Sequence, residues 1–217
     1  EASNALNLDP NNYSARIIRA NALIGLKKSD QAKRDLLRLI EDSPENPLAY
    51  FRMGLLQASQ KKYDSAYEYF TKSYEKNNSI LETFLQIINI HVMKKEFETA
   101  HELCTKQLTI VEGNNSAKAV IHNIQAQLFS EQKNAAKAEQ FFTKAIKADP
   151  KLSTPYNALA RLYLGKKENN KAVEQYESLL KINPDNPNAH MMIGSIYDSE
   201  KKYEKAADHY RMALKIN

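Results

Sequence analysis

Residues 187–217 read PNAHMMIGSIYDSEKKYEKAADHYRMALKIN. Gly194, Ala206 and Ala213 are small, while Ile193, Tyr197, Tyr203 and Tyr210 are large, and their spacings of three, four and seven put them on helical faces. Small side chains let two antiparallel helices approach closely, and large ones fill the groove beside them. Asn186-Pro187 fits a cap followed by the first helical residue. The stretch therefore predicts a helix–turn–helix pair.

The same frame recurs upstream. Ala32, Ala66, Ala100, Ala138, Ala172 and Ala206 are separated by 34, 34, 38, 34 and 34 residues. Four residues past each comes Leu36, Phe70, Cys104, Phe142, Tyr176 or Tyr210. Twelve before stands a small residue at Ala20, Gly54, Ala126, Ala160 and Gly194, and three further on Leu23, Phe129, Tyr163 and Tyr197. Pro44, Pro150 and Pro184 stop the second helices, Pro10 closes an earlier partial unit, and Asn78 and Glu112 replace Pro in the middle. A period of this length marks stacked repeats, each unable to bury its apolar face alone.

This pattern resembles the tetratricopeptide repeat (TPR) over essentially the whole chain. The resemblance implies an all-α fold, an α-α superhelix (TPR solenoid) of about six helix–turn–helix repeats. The expected repeats are 13–46, 47–80, 81–114, 119–152, 153–186 and 187–217, with 1–12 as the end of a preceding one. Because the chain opens inside a repeat and stops one residue before an expected Pro, it reads as a single array cut from a longer protein.

The wide gap inserts four residues around Gly113-Asn114-Asn115-Ser116. These are expected to lengthen a helix by about one turn or to form a longer loop.

Composition sets limits. The chain of 217 residues is 42% hydrophobic and 26% charged, with 5 glycines and a net charge of +5. No apolar run reaches the ~18 residues of a membrane span, so direct insertion by this segment is not expected. A modest positive charge without an arginine–aromatic stripe argues against nucleic acid as a partner.

Chemistry is sparse. The histidines His91, His101, His122, His190 and His209 offer no i, i+4 pair for a metal. His91, His122 and His190 stand at motif positions that pack. Cys104 falls on a core position and has no second cysteine to pair with. There is no phosphate loop and no nucleophile elbow. The expectation is a non-enzyme without cofactor or metal.

In TPR arrays the first helix of each pair lines a concave groove. The resemblance therefore points to Asn21, Phe51, Arg52, Gln86, Asn89, Gln127, Asn157, Arg161 and Met192 as partner-binding residues. Their side chains mix apolar anchors with amides that can both donate to and accept from a peptide backbone. The Lys–Asn pair of chaperone-binding TPR proteins is absent, its places holding Ile17/Asn21, Phe51/Leu55 and Leu85/Asn89. That disfavours a grip on acidic C-terminal tails.

Lysines gather at the turn within each pair: Lys27-Lys28, Lys61-Lys62, Lys94-Lys95, Lys133, Lys166-Lys167 and Lys201-Lys202. Cations suit the end of a helix, which accounts for them without a ligand.

The expected function is a protein–protein interaction scaffold or adaptor holding a protein or peptide segment in the groove. The resemblance extends to bacterial envelope TPR proteins tied to exopolysaccharide export, protein sorting or pilus assembly, and favours periplasm or cell envelope over cytoplasm. The rival expectation is a regulatory or substrate-presenting TPR arm of a larger enzyme such as a glycosyltransferase.

Overall fold

Helix starts and stops follow the punctuation of the sequence. The computed structural model describes residues 2–9 and 11–216. Pro10, taken above as the stop of a partial unit, lies outside them. Among the described residues there are thirteen helices and no strand. A short α1 (Ala2–Leu8) precedes α2 (Tyr13–Gly25), α3 (Ser29–Asp42), α4 (Pro47–Ser59), α5 (Tyr63–Lys76), α6 (Leu81–Met93) and α7 (Phe97–Ile110). Then come α8 (Asn115–Glu131), α9 (Ala135–Ala148), α10 (Ser153–Gly165), α11 (Asn169–Ile182), α12 (Pro187–Ser199) and α13 (Tyr203–Ile216). The fold class is all-α, of the helical-hairpin solenoid type, with a helix count consistent with about six repeats.

The chain forms two compact units, Glu1–Ala100 and His101–Asn217, with the boundary inside α7. In the first, Ala20, Ala32, Leu36, Ala49, Met53 and Leu56 pack into one cluster. In the second, Ala126, Ala138, Phe142, Ala160, Ala172, Tyr176 and Ile193 do the same. The pairing rule is visible at Gly54, where an added Cβ would lie 2.5 Å from Cε1 of Phe70. Only a residue without a side chain lets α4 and α5 approach that closely.

The extra four residues lengthen a helix. α8 has 17 residues, where α2, α4, α6, α10 and α12 each have 13. At 1.5 Å per residue this adds about 6 Å, roughly one turn.

Between hairpins, asparagines cap the next helix. The side chains of Asn46 and Asn186 accept from the backbone N–H of Leu48 and Ala189, with proline in the first turn. Asn12 and Asn114 do the same for Ala15 and Ala117. Each satisfies one of the donors that a helix start leaves open.

Within hairpins, six lysines sit in the left-handed region: Lys27, Lys61, Lys95, Lys133, Lys167 and Lys201, with φ from 58 to 61°. Each closes the same motif. In the first hairpin Lys27 N–H donates to Ile24 C=O at 3.0 Å and Lys28 N–H to Leu23 C=O at 2.8 Å. Lys133 and Asn134 repeat this on Ser130 and Phe129, and Lys201 and Lys202 on Asp198 and Tyr197. This crossed pair of bonds is the Schellman ending of a helix, which usually takes glycine at the left-handed position. Lysine tolerates it at some backbone cost and adds a cation at the negative end of the helix dipole.

Cys104 is fully buried, and burial pushes its thiol up to about 12. A thiol so held has almost no thiolate at neutral pH and serves as core.

Candidate partner-binding faces

In the first unit Asn21 on α2, Phe51 and Arg52 on α4 and Gln86 on α6 are half-buried, and Asn89 is exposed. The Phe51 ring lies 5.8 Å from Phe70, so it belongs partly to the core. The Arg52 guanidinium sits over Phe51 at 5.7 Å. Its buried Nε finds no hydrogen-bond acceptor among the described residues. A donor left in that state costs free energy until an acceptor arrives.

The second unit brings two of the expected residues together. Gln127 on α8 and Arg161 on α10 line one open hollow of about 440 Å³ with Glu131, Ala158, Leu162 and Phe142. Phe142 is 1% exposed and forms the apolar floor. Gln127 and Arg161 are exposed to solvent at the rim. The positive charge of Arg161 also acts on the buried Tyr176 phenol of α11, whose pKa burial nonetheless raises. One turn before Gln127, the buried Oδ1 of Asn123 has no donor among the described residues. Asn157 is partly committed, since its Nδ2 donates to Ser153 C=O at 3.1 Å. Met192 on α12 is half-buried against the core of this unit. These placements separate the nine residues into rim groups, such as Gln127 and Arg161, and groups shared with the core, such as Phe51 and Met192.

Three lysines of the turns, Lys94, Lys166 and Lys202, make ion pairs within the protein. Lys94 pairs with Asp64 at 2.7 Å and Lys166 with Glu139 at 2.8 Å. Tyr163 also donates to Glu139, at 2.9 Å. These bonds hold the Glu139 carboxyl below its usual range, the one from Lys166 most strongly. The ammonium groups of Lys166 and Lys171 flank the Tyr163 ring, and those of Lys202 and Lys205 flank Tyr197, at 5.4–5.8 Å. Such cation–aromatic contacts use the lysine heads that a ligand would otherwise meet.

One contact was missing from the sequence reading. His190 and His209 stand 19 residues apart, and their Nδ1 atoms meet at 3.1 Å across α12 and α13. The signal was the hairpin register, because the equivalent positions in the fourth hairpin, His122 and Phe141, also place their rings together, at 6.1 Å.

Among the described residues no group of three or more His, Cys, Asp or Glu could hold a metal ion. Nor is any of their helices long and apolar enough to cross a membrane.

Stacked helical hairpins with small-against-large pairing define a class of repeat scaffold whose faces serve protein–protein interaction. Models of the tetratricopeptide repeat match residues 5–79, 129–196 and 187–217. The chain belongs to the tetratricopeptide repeat proteins. No curated protein matches it in sequence. Solved structures do match in fold. Yeast Tom70 is 17% identical with a TM-score of 0.76, over 98% of this chain and 45% of that one. The pilF protein of Pseudomonas aeruginosa is 14% identical with a TM-score of 0.67, over 91% of this chain and 88% of that one. MamA is 20% identical with a TM-score of 0.56, over 75% of this chain and 93% of that one. At these identities the likeness is one of fold.

Proposed function

We propose that this protein is a non-catalytic scaffold that holds a segment of a partner protein on the faces of its first helices, with the hollow at Gln127 and Arg161 as one principal contact. The observation that carries this reading is the hollow itself, with its apolar floor at Phe142 and Leu162 and its polar rim. An apolar side chain of the segment fills the floor, while the amide of Gln127 meets its backbone with both donor and acceptor. Arg161 supplies a planar fork for a carbonyl or carboxylate. On the first unit, the Arg52 Nε, which has no acceptor among the described residues, is a second point that an incoming acceptor would satisfy.

The test is selection of binding peptides from a displayed random library on the full chain, followed by affinity measurement on variants. Gln127→Ala and Arg161→Ala are expected to weaken selected peptides by ~10-fold or more, the cost of a truncated contact residue. Thr143→Ala, at an exposed position of α9, is the control and is expected to leave them unchanged. Peptides that bind all three variants like the wild type would remove the assignment.

A further inference from the structure

The last hairpin carries a polar contact that neither packing nor partner binding explains. α13 packs chiefly on α12. Within that interface His190 is 9% exposed and His209 is half-buried, with Nδ1 facing Nδ1 at 3.1 Å. The ring centres are 5.3 Å apart. That is close to the Nδ1 separation plus the two ring radii, so the two nitrogens point at one another along a line. The arrangement suits a single shared proton and not a chelated metal, whose ligand lone pairs would converge off that line.

We propose that His190 and His209 form a proton-counting latch that holds α13 on α12 while at least one of the two Nδ1 atoms is unprotonated, and releases it when both carry a proton. In the neutral pair one Nδ1–H donates to the lone pair of the other Nδ1. A first added proton goes to the free Nε2 of the donor ring, and the bond becomes charge-assisted and stronger. A second can only go to the accepting Nδ1. Two N–H groups and two positive charges then face each other inside the interface, and the bond is lost.

The surroundings bear on this balance from each side. Tyr197 of α12 lies 5.8 Å from His209, with Lys202 and Lys205 over its ring. Glu177 of α11 and Asp208 of α13 favour the charged imidazole. Burial and the neighbouring His190 outweigh them and lower the pKa of His209. A histidine depressed in the folded state contributes stability that is present above its unfolded value of 6.5 and is lost as pH falls through the folded one.

The experiment is hydrogen exchange of the full chain, read by mass spectrometry and corrected for intrinsic rates, at about pH 7.5 and about pH 5. In wild type the segment 203–216 is expected to exchange at least ~3-fold faster at the lower pH, while 153–182 in the same unit changes little. His209→Phe keeps a ring without a proton site, and His209→Gln keeps a hydrogen bond to His190 without charge. Whichever variant folds is expected to lose the pH-dependent excess. Equal acceleration of 203–216 in those variants, or none in wild type, would overturn the latch.

Discussion

Gly194 of α12 faces the ring of Tyr210 on α13 so closely that a Cβ there would lie 2.6 Å from Cε1. The same relation joins Gly54 to Phe70 at 2.5 Å, but the two rings differ in freedom. Phe70 is 1% exposed and enclosed, whereas Tyr210 is half-buried.

Gly54→Ala is therefore expected to destabilise the first unit by about 1–3 kcal/mol through overpacking, despite the better helix propensity of alanine. Gly194→Ala is expected to cost less, because the Tyr210 ring can move outward. Thermal unfolding followed by circular dichroism orders the two, and equal melting temperatures would contradict the account.

Ala206 is 3% exposed at the heart of the last hairpin. Replacing it with leucine is expected to cost about 1–3 kcal/mol for the same reason. An unchanged urea midpoint would show that α12 and α13 do not depend on that close approach.

The left-handed lysines predict the opposite sign. Lys133 holds φ 58°, where a side chain is penalised and glycine is not. Lys133→Gly is expected to stabilise by about 1 kcal/mol, reduced by the greater freedom of glycine in the unfolded chain. Lys133→Val, β-branched at the same φ, is expected to destabilise. Chemical denaturation of the two variants beside wild type decides this.

Glu139 gives a pH dependence. Its carboxyl is held below the ordinary value of 4.5, chiefly by Lys166 and then by Tyr163. A depressed acid contributes stability that is present above its unfolded pKa and is lost as pH falls through the folded one. Wild type is thus expected to lose stability below about pH 4.5 more steeply than Glu139→Gln. Parallel acid limbs in unfolding experiments would show that the pair is solvent-screened and contributes nothing.

The double variant Arg52→Ala/Arg161→Ala is expected to weaken partner binding by roughly 1–3 kcal/mol while leaving the helical spectrum and melting intact. Equal affinity for both proteins would withdraw these two residues from the binding faces.

Much of the fold was legible because it rests on size at fixed spacing. Ala20, Gly54, Ala126, Ala160 and Gly194 announced the close approaches, and Asn46-Pro47 and Asn186-Pro187 the helix starts. The excess before Ala138 was legible as length but not as form, since four residues suit either a loop or a turn of helix. The Schellman endings were hidden because lysine stands where glycine would have signalled them. Gln127 and Arg161 were legible as residues on a face, but their shared hollow depends on how α8, α9 and α10 pack. The pairing of His190 with His209 needed the register between two helices, which a search along one helix does not test.

The added turn of α8 has an evolutionary corollary. The four residues stand ahead of Ala126, so the spacing of 16 residues from Ala126 to Phe142 equals that from Gly54 to Phe70 and from Gly194 to Tyr210. Growth at the front of one helix thus leaves Ala126 and Phe142 in phase with their counterparts elsewhere. A scaffold built this way can be extended at a helix start, whereas an insertion between a small residue and its ring partner would break their pairing.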